Sequence, residues 1–122
     1  MPEVRMRKHI RAAILLVKSE IDQRPLDFDL TKVEDLTYKN QLPIGKNVLT
    51  KGFKKLYGCS LKNYEKKMRL EAAKPMLEEG RLTLSQIAYK CGYGSQSSFT
   101  RAFKEVIGMT PSEWQNIDAP LQ

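Results

Sequence analysis

The sequence predicts an all-α chain of about seven helices, two short-helix, turn, longer-helix units on either side of a long linker helix. Three observations carry that prediction. Apolar residues recur at helical spacing along most of the chain. Capping and stop residues punctuate them where helices should begin and end. A twelve-residue stretch, FKKLYGCSLKNY from Phe53 to Tyr64, also returns without a gap as FKEVIGMTPSEW from Phe103 to Trp114.

The first helix runs from Val4 to about Asp22, with Ile10, Ala13, Ile14, Val17 and Ile21 on one face. A core-covering helix fits this better than a membrane-surface one, because its cations do not fill a continuous polar face opposite bulky aromatics. Pro25 ends it. Thr31 with Glu34 offers a capping box for a short helix bearing Val33, Leu36 and Thr37, and a longer helix follows through Phe53. Ser60 caps a linker helix from about Leu61 to Leu77, with Tyr64, Met68, Leu70, Ala73 and Leu77 as its buried positions. Pro75 lacks an amide donor and clashes with the carbonyl four residues back, so a kink or restart is expected there.

The second unit is the better punctuated. Thr83 and Gln86 form a capping box, Leu84, Ile87, Ala88 and Cys91 make one apolar stripe, and Gly92 suits the left-handed residue that stops a helix. Ser95 caps again, and Phe99, Ala102, Phe103 and Val106 give the second stripe. Thr110, Pro111 and Glu113 open a short last helix that carries Trp114. Trp114 and Tyr64 read as core plugs rather than base-stacking platforms, and the tail from Asn116 reads as frayed.

The repeat maps one unit onto the other. The offset is fifty residues from Leu49 and Phe99 onward, and fifty-one before the turn, where Val33, Leu36 and Thr37 pair with Leu84, Ile87 and Ala88. Unit one therefore carries one extra residue in its turn. Two short helices joined through a turn of this kind make a helix-turn-helix, so the chain holds a tandem pair. The expected organisation is one domain over residues 1–122: a first unit at 1–58, a linker helix at 59–79, a second unit at 80–117 and a tail at 118–122.

Composition narrows the chemistry. A chain of 122 residues with 41% hydrophobic content buries a modest core, and a net charge of +7 with a pI near 9.5 points to a polyanion. Between Leu36 and Leu70 nine cations, Lys39 to Arg69, face a single acid, Glu65. One-sided charge of this kind can form a phosphate-facing stripe. Cys59 and Cys91 lack metal-ligand spacing, so reduced thiols and no metal are expected. The lone His9 has no nucleophile or carboxylate arranged beside it, and Gly92-Tyr93-Gly94 has neither a preceding strand nor a third glycine. No enzyme and no cofactor is therefore expected. The apolar run Ala12 to Val17 is too short to span a bilayer and has no cleavage site after it, so no membrane partner is expected and the location is cytoplasmic, with the nucleoid.

The motif residues resemble the DNA-binding domain of the AraC/XylS family of bacterial transcription regulators. The matching residues are Ile87-Ala88, Gly92-Tyr93, Ser98-Phe99, Arg101-Ala102-Phe103-Lys104, Gly108 and Thr110-Pro111 in unit two, with Phe53-Lys54, Gly58, Tyr64 and Arg69-Leu70 earlier. The resemblance spans the first helix to Trp114. It implies two subdomains bridged by a linker helix, double-stranded DNA as partner and a role as activator or repressor. RNA polymerase is a candidate second partner, and oligomerisation is expected through a sensing domain that these residues do not include. On that reading the chain is a C-terminal fragment or a single-domain member. Unit one departs from the pattern: Gln41 stands where unit two has Gly92, and Pro43-Ile44 lengthen the turn and can retilt its recognition helix.

With Phe99 and Phe103 inward, Ser97 and Arg101 project outward, Thr100 and Lys104 flank them, and Gln96 sits at the exposed end. The repeat transfers this face to Asn47, Thr50, Lys51 and Lys54. Gln96 and Asn47 suit bidentate contact with adenine, Arg101 with guanine or phosphate, and Ser97 and Thr50 either edge, with Lys51 among the base readers. Lys46, Lys54, Lys55, Ser95, Thr100 and Lys104 are the expected phosphate contacts, helped by free amides at Gly45, Lys46 and Ser95. If both recognition helices enter one face of a duplex, their centres lie about 34 Å apart, with the linker helix as spacer. The rival expectation is a helical protein-interaction module without DNA binding. RNA fits less well, because helix insertion into the major groove is a B-DNA device.

Overall fold

The computed structural model describes residues 7–117, so the expected helix start at Val4 and the tail at 118–122 lie outside the described residues. Among the described residues the regular structure is entirely helical: α1 (Lys8–Gln23), a 3-10 turn (Leu30–Lys32), α2 (Val33–Lys39), α3 (Lys46–Tyr57), α4 (Leu61–Glu71), α5 (Ala73–Glu79), α6 (Leu84–Lys90), α7 (Gln96–Ile107) and α8 (Pro111–Asn116). The chain divides into two compact units whose boundary falls inside α4, between Glu65 and Lys66.

In the first unit α1 packs against α2 and α3. Its apolar stripe is buried as the spacing requires, with Ala13, Ile14, Val17 and Ile21 fully covered, joined by Val33, Leu49, Phe53 and Leu61. A polar tie fastens its edge. Lys18 Nζ donates to Asp22 Oδ2 at 2.9 Å, the Tyr64 hydroxyl donates to Asp22 Oδ1, and the ammonium lies 5.5 and 5.4 Å from the Tyr57 and Tyr64 ring centroids. Burial pushes the Asp22 carboxyl up, but the hydrogen bonds from Lys18 and Tyr64 outweigh it and hold the group below the usual carboxylate range. The Asp22 and Tyr64 hydrogen bonds raise the Lys18 ammonium. Tyr64 also packs 5.5 Å from the Phe53 ring but is itself only half-buried, so it sits at the rim of the core rather than inside it.

In the second unit the core is Leu70, Ala73, Leu77, Ile87, Ala88, Cys91, Phe99, Ala102 and Phe103, with Trp114 partly buried against it. Phe99 and Phe103 lie 5.7 Å apart in a tilted pair. Lys74 Nζ sits 4.4 Å from the Trp114 ring centroid, and Gln115 Nε2 donates to the Leu77 carbonyl at 2.9 Å, fastening α8 to the end of α5. Burial pushes the Cys91 thiol up to about 11, which makes it an inert core residue.

The linker differs from one unbroken helix. It breaks at Ala72, so Pro75 becomes the third residue of α5, where an amide would find no carbonyl in any case. The restart expected from Pro75 is thus displaced two residues upstream. Ser60 caps α4 as expected, its Oγ accepting from the Asn63 amide at 3.0 Å. Met68 is only half-buried, and Leu61, absent from the expected set, is fully buried.

One expected cap does not form. Thr31 and Glu34 make no capping box. Asp29 caps the 3-10 turn instead, accepting from the Thr31 amide at 3.0 Å and hydroxyl at 2.7 Å, and Glu34 turns elsewhere. An Asp two residues before the amide closes a tighter local ring than the box could.

Candidate nucleic-acid interface

The two helix-turn-helix turns close with the same three backbone bonds, displaced by fifty-one residues. In unit two, amide to carbonyl, they are Cys91 to Ile87, Gly92 to Tyr89 and Tyr93 to Ala88; in unit one, Asn40 to Leu36, Gln41 to Tyr38 and Leu42 to Thr37. Both need a left-handed residue at the same place. Gly92 supplies it at φ +86, whereas Gln41 adopts φ +62 and is the one non-glycine residue with positive φ among those described. The extra residue of unit one lies between Gln41 and Lys46, as the change of offset requires.

After the turn, the two recognition helices have the same length. Helices α3 and α7 each span twelve residues and stop at Gly58 and Gly108, whose amides bond the Lys54 and Lys104 carbonyls. Leu49, Gly52 and Phe53 face inward in α3, and Phe99, Ala102 and Phe103 in α7. That leaves Gln96, Ser97, Arg101 and Lys104 exposed on one helix, and Lys46, Asn47, Lys51, Lys54 and Lys55 on the other. Thr50 and Thr100 are half-buried, and the Thr50 hydroxyl donates to the Asn47 carbonyl at 3.1 Å. The Ser95 hydroxyl accepts from the Ser98 amide and donates to the Ser98 hydroxyl, both at 3.1 Å, so it is engaged in the cap.

Two residues stand at the entrance of these helices, at equivalent positions: Glu34, expected in a capping box with Thr31, and Ser85, for which no role was expected. Glu34 Oε2 accepts from the Lys46 backbone amide at 2.8 Å, so the amide expected to be free there is taken. Ser85 Oγ donates to Gln96 Oε1 at 3.0 Å. The signal that could have found them is the repeat itself: Glu34 and Ser85 are fifty-one apart, Lys46 and Gln96 fifty apart.

The flanks of the helices also differ. Thr50, Lys51, Lys54, Lys55 and Ser60 line a shallow cleft of about 450 Å³. The three lysine side chains give this flank positive charge. At the position of Lys55 unit two carries Glu105, which Lys66 neutralises with Nζ to Oε1 at 3.2 Å. The turn of unit two is also covered: the Arg69 guanidinium lies 5.9 Å from the Tyr93 ring centroid. Among the described residues no group of three His, Cys, Asp or Glu side chains is placed to hold a metal, and no helix is long and apolar enough to cross a membrane.

Paired short and long helices with a polar, basic outer face on the second define a helix-turn-helix domain. Comparison with known proteins agrees: a helix-turn-helix domain family profile matches residues 39–117. The chain is 41% identical over 63 residues to a probable transcriptional regulator, LumQ, of Photobacterium leiognathi, a match covering 52% of this chain and 25% of that protein. Its fold is that of an AraC-type DNA-binding-domain transcriptional regulator from Chromobacterium violaceum (TM-score 0.74, 19% identity, 91% of this chain and 96% of the other). It is also that of the DNA-binding domain of AdpA, solved with a target DNA (TM-score 0.71, 17% identity, 90% and 98%). The chain belongs to the family of helix-turn-helix domains found in AraC-like transcription regulators. It spans about a quarter of the length of the curated relatives it matches.

Proposed function

We propose that this chain binds double-stranded DNA sequence-specifically, with α7 and α3 as recognition helices in successive major grooves, and thereby regulates transcription. The observation that carries this is α7: an exposed row of Gln96, Ser97, Arg101 and Lys104 held rigid by buried Phe99 and Phe103 beneath it. Rigid placement matters because base edges are read by hydrogen bonds that tolerate little error. Gln96, Ser97 and Arg101 read bases in unit two, and Asn47, Thr50 and Lys51 in unit one. Lys46, Lys54, Lys55, Thr100 and Lys104 hold phosphates by their side chains, and Ser95, with its hydroxyl committed, by its amide. The chain works by binding rather than by catalysis. RNA polymerase contact, self-association through a further domain and residence at the nucleoid complete the proposal.

Arg101→Ala is expected to cost about 1 to 3 kcal/mol of binding at the preferred sequence, and Lys55→Ala to weaken all sequences alike while lowering the salt slope by about one. Fluorescence anisotropy over a salt titration measures both. Affinity unchanged by Arg101→Ala, or a wild-type slope near zero, would favour a protein-interaction module instead.

A further inference from the structure

We propose that Ser85 is a positioning residue for sequence reading: its hydroxyl, reaching across the turn from α6, holds the Gln96 carboxamide in the pose in which it meets a base. The inference rests on the reading of α7 as a recognition helix and adds to it the residue that prepares its leading side chain.

A glutamine at the exposed first position of a helix has three side-chain torsions to lose, and an unrestrained one can rearrange to suit several base edges at similar cost. Gln96 is not unrestrained. Ser85 Oγ donates to its Oε1 at 3.0 Å, from a helix that is itself anchored by a complete capping box at Thr83 and Gln86 and by buried Ile87 and Ala88. The rest of the amide stays outward: Gln96 is exposed, its second oxygen lone pair and both Nε2 protons remain for adenine N6 and N7.

The repeat supplies an internal control. The same position in unit one is Glu34, and it too fastens the first residue of its recognition helix, but by the backbone amide of Lys46. Both units thus use this position to hold the head of the second helix. In unit two alone the grip falls on a side chain that faces outward to read. A surface serine bonded only to solvent, or a serine used only as a helix cap, would show neither the cross-turn bond nor the counterpart.

The test is a base-preference profile: the full chain is bound to a duplex pool randomised around the sequence selected by the wild type, for wild type, Ser85→Ala, Ser85→Thr and Gln96→Ala. Ser85→Ala should reduce discrimination about three- to tenfold at the one base pair that Gln96→Ala also relaxes, the span of a neutral hydrogen bond. The other positions, the salt slope and the thermal midpoint followed by Trp114 fluorescence should stay unchanged, and Ser85→Thr should restore the preference. A Ser85→Ala profile equal to wild type, or one weakened evenly at every position, overturns the role of Ser85 while leaving the DNA-binding reading intact. A wild-type pool without any preferred sequence overturns that reading itself.

Discussion

The two helix-turn-helix units share a backbone and differ in what they place on it. Their turns close with matching hydrogen bonds and their recognition helices are twelve residues each. Unit two uses glycine at the left-handed residue, a hydroxyl bond to Gln96 and an acid, Glu105, neutralised by Lys66. Unit one holds a glutamine at the left-handed residue, a carboxylate on the helix amide and a lysine-lined cleft. Repetition of a fold therefore does not carry repetition of chemistry. On the proposed reading, unit two discriminates among bases, and the additional lysines of unit one serve the phosphate backbone, which carries no sequence information of its own.

The turn gives the largest expected effect outside the DNA contacts. Gly92→Ala should destabilise unit two by about 1 to 2 kcal/mol, because the left-handed conformation itself is costly for an L-residue. The added Cβ meets only ordinary contact with Arg69, 3.5 Å from Nη1, so backbone conformation and not a clash sets the cost. Gln41→Gly should act in the opposite sense, a gain of about 0.5 kcal/mol once the greater freedom of glycine in the unfolded chain is set against the relieved φ. Thermal unfolding measures both, with Trp114, the single tryptophan, reporting unit two and far-UV circular dichroism the whole chain. Equal and like-signed responses at the two positions would erase the difference between the turns.

The tie at α1 is specific to unit one. Asp22→Asn should cost about 1 kcal/mol or less at neutral pH, since the pair is partly solvated. The Asp22 carboxyl is held below its ordinary value of 3.8, so the contribution is complete above that pH and fades as the pH falls through the lowered folded value. The raised Lys18 ammonium keeps it present through the alkaline range until the lysine titrates. Variant and wild type should therefore converge in acid, as measured by urea unfolding at a series of pH values. A difference that persists unchanged at the lowest pH would locate the effect in packing.

The smallest effect is expected at Glu34. Its carboxylate sits at the head of α3, where negative charge favours the helix but opposes an approaching phosphate. Glu34→Gln should tighten binding about two- to threefold for all DNA sequences alike at low salt, and less at high salt. Weaker binding would mean that Glu34 contributes to recognition through its charge.

Much of this was legible in the sequence, for identifiable reasons. Gly92, the capping boxes at Thr83 and Thr110, and the stripes of α1, α6 and α7 are local devices, written in residues three or four apart. The repeat even located the extra residue of unit one. What escaped were choices between local and distant partners. Glu34 had a threonine three residues back to cap with and took the Lys46 amide twelve residues away, while Asp29 closed the cap instead. Pro75 announced a break in the linker but not that the helix would stop at Glu71, because the carbonyl it disturbs lies a turn upstream. Ser85 looked like any exposed serine until the turn brought Gln96 to it.

Whether two unequal recognition helices read one duplex is decided by selecting bound sequences from a random duplex pool with wild type and Arg101→Ala in parallel. Two short boxes about one helical turn apart are expected, with Arg101→Ala blurring the sharper one and leaving the other in place. A single box would contradict base reading by Asn47, Thr50 and Lys51, and a pool without enrichment would contradict sequence-specific binding by either helix.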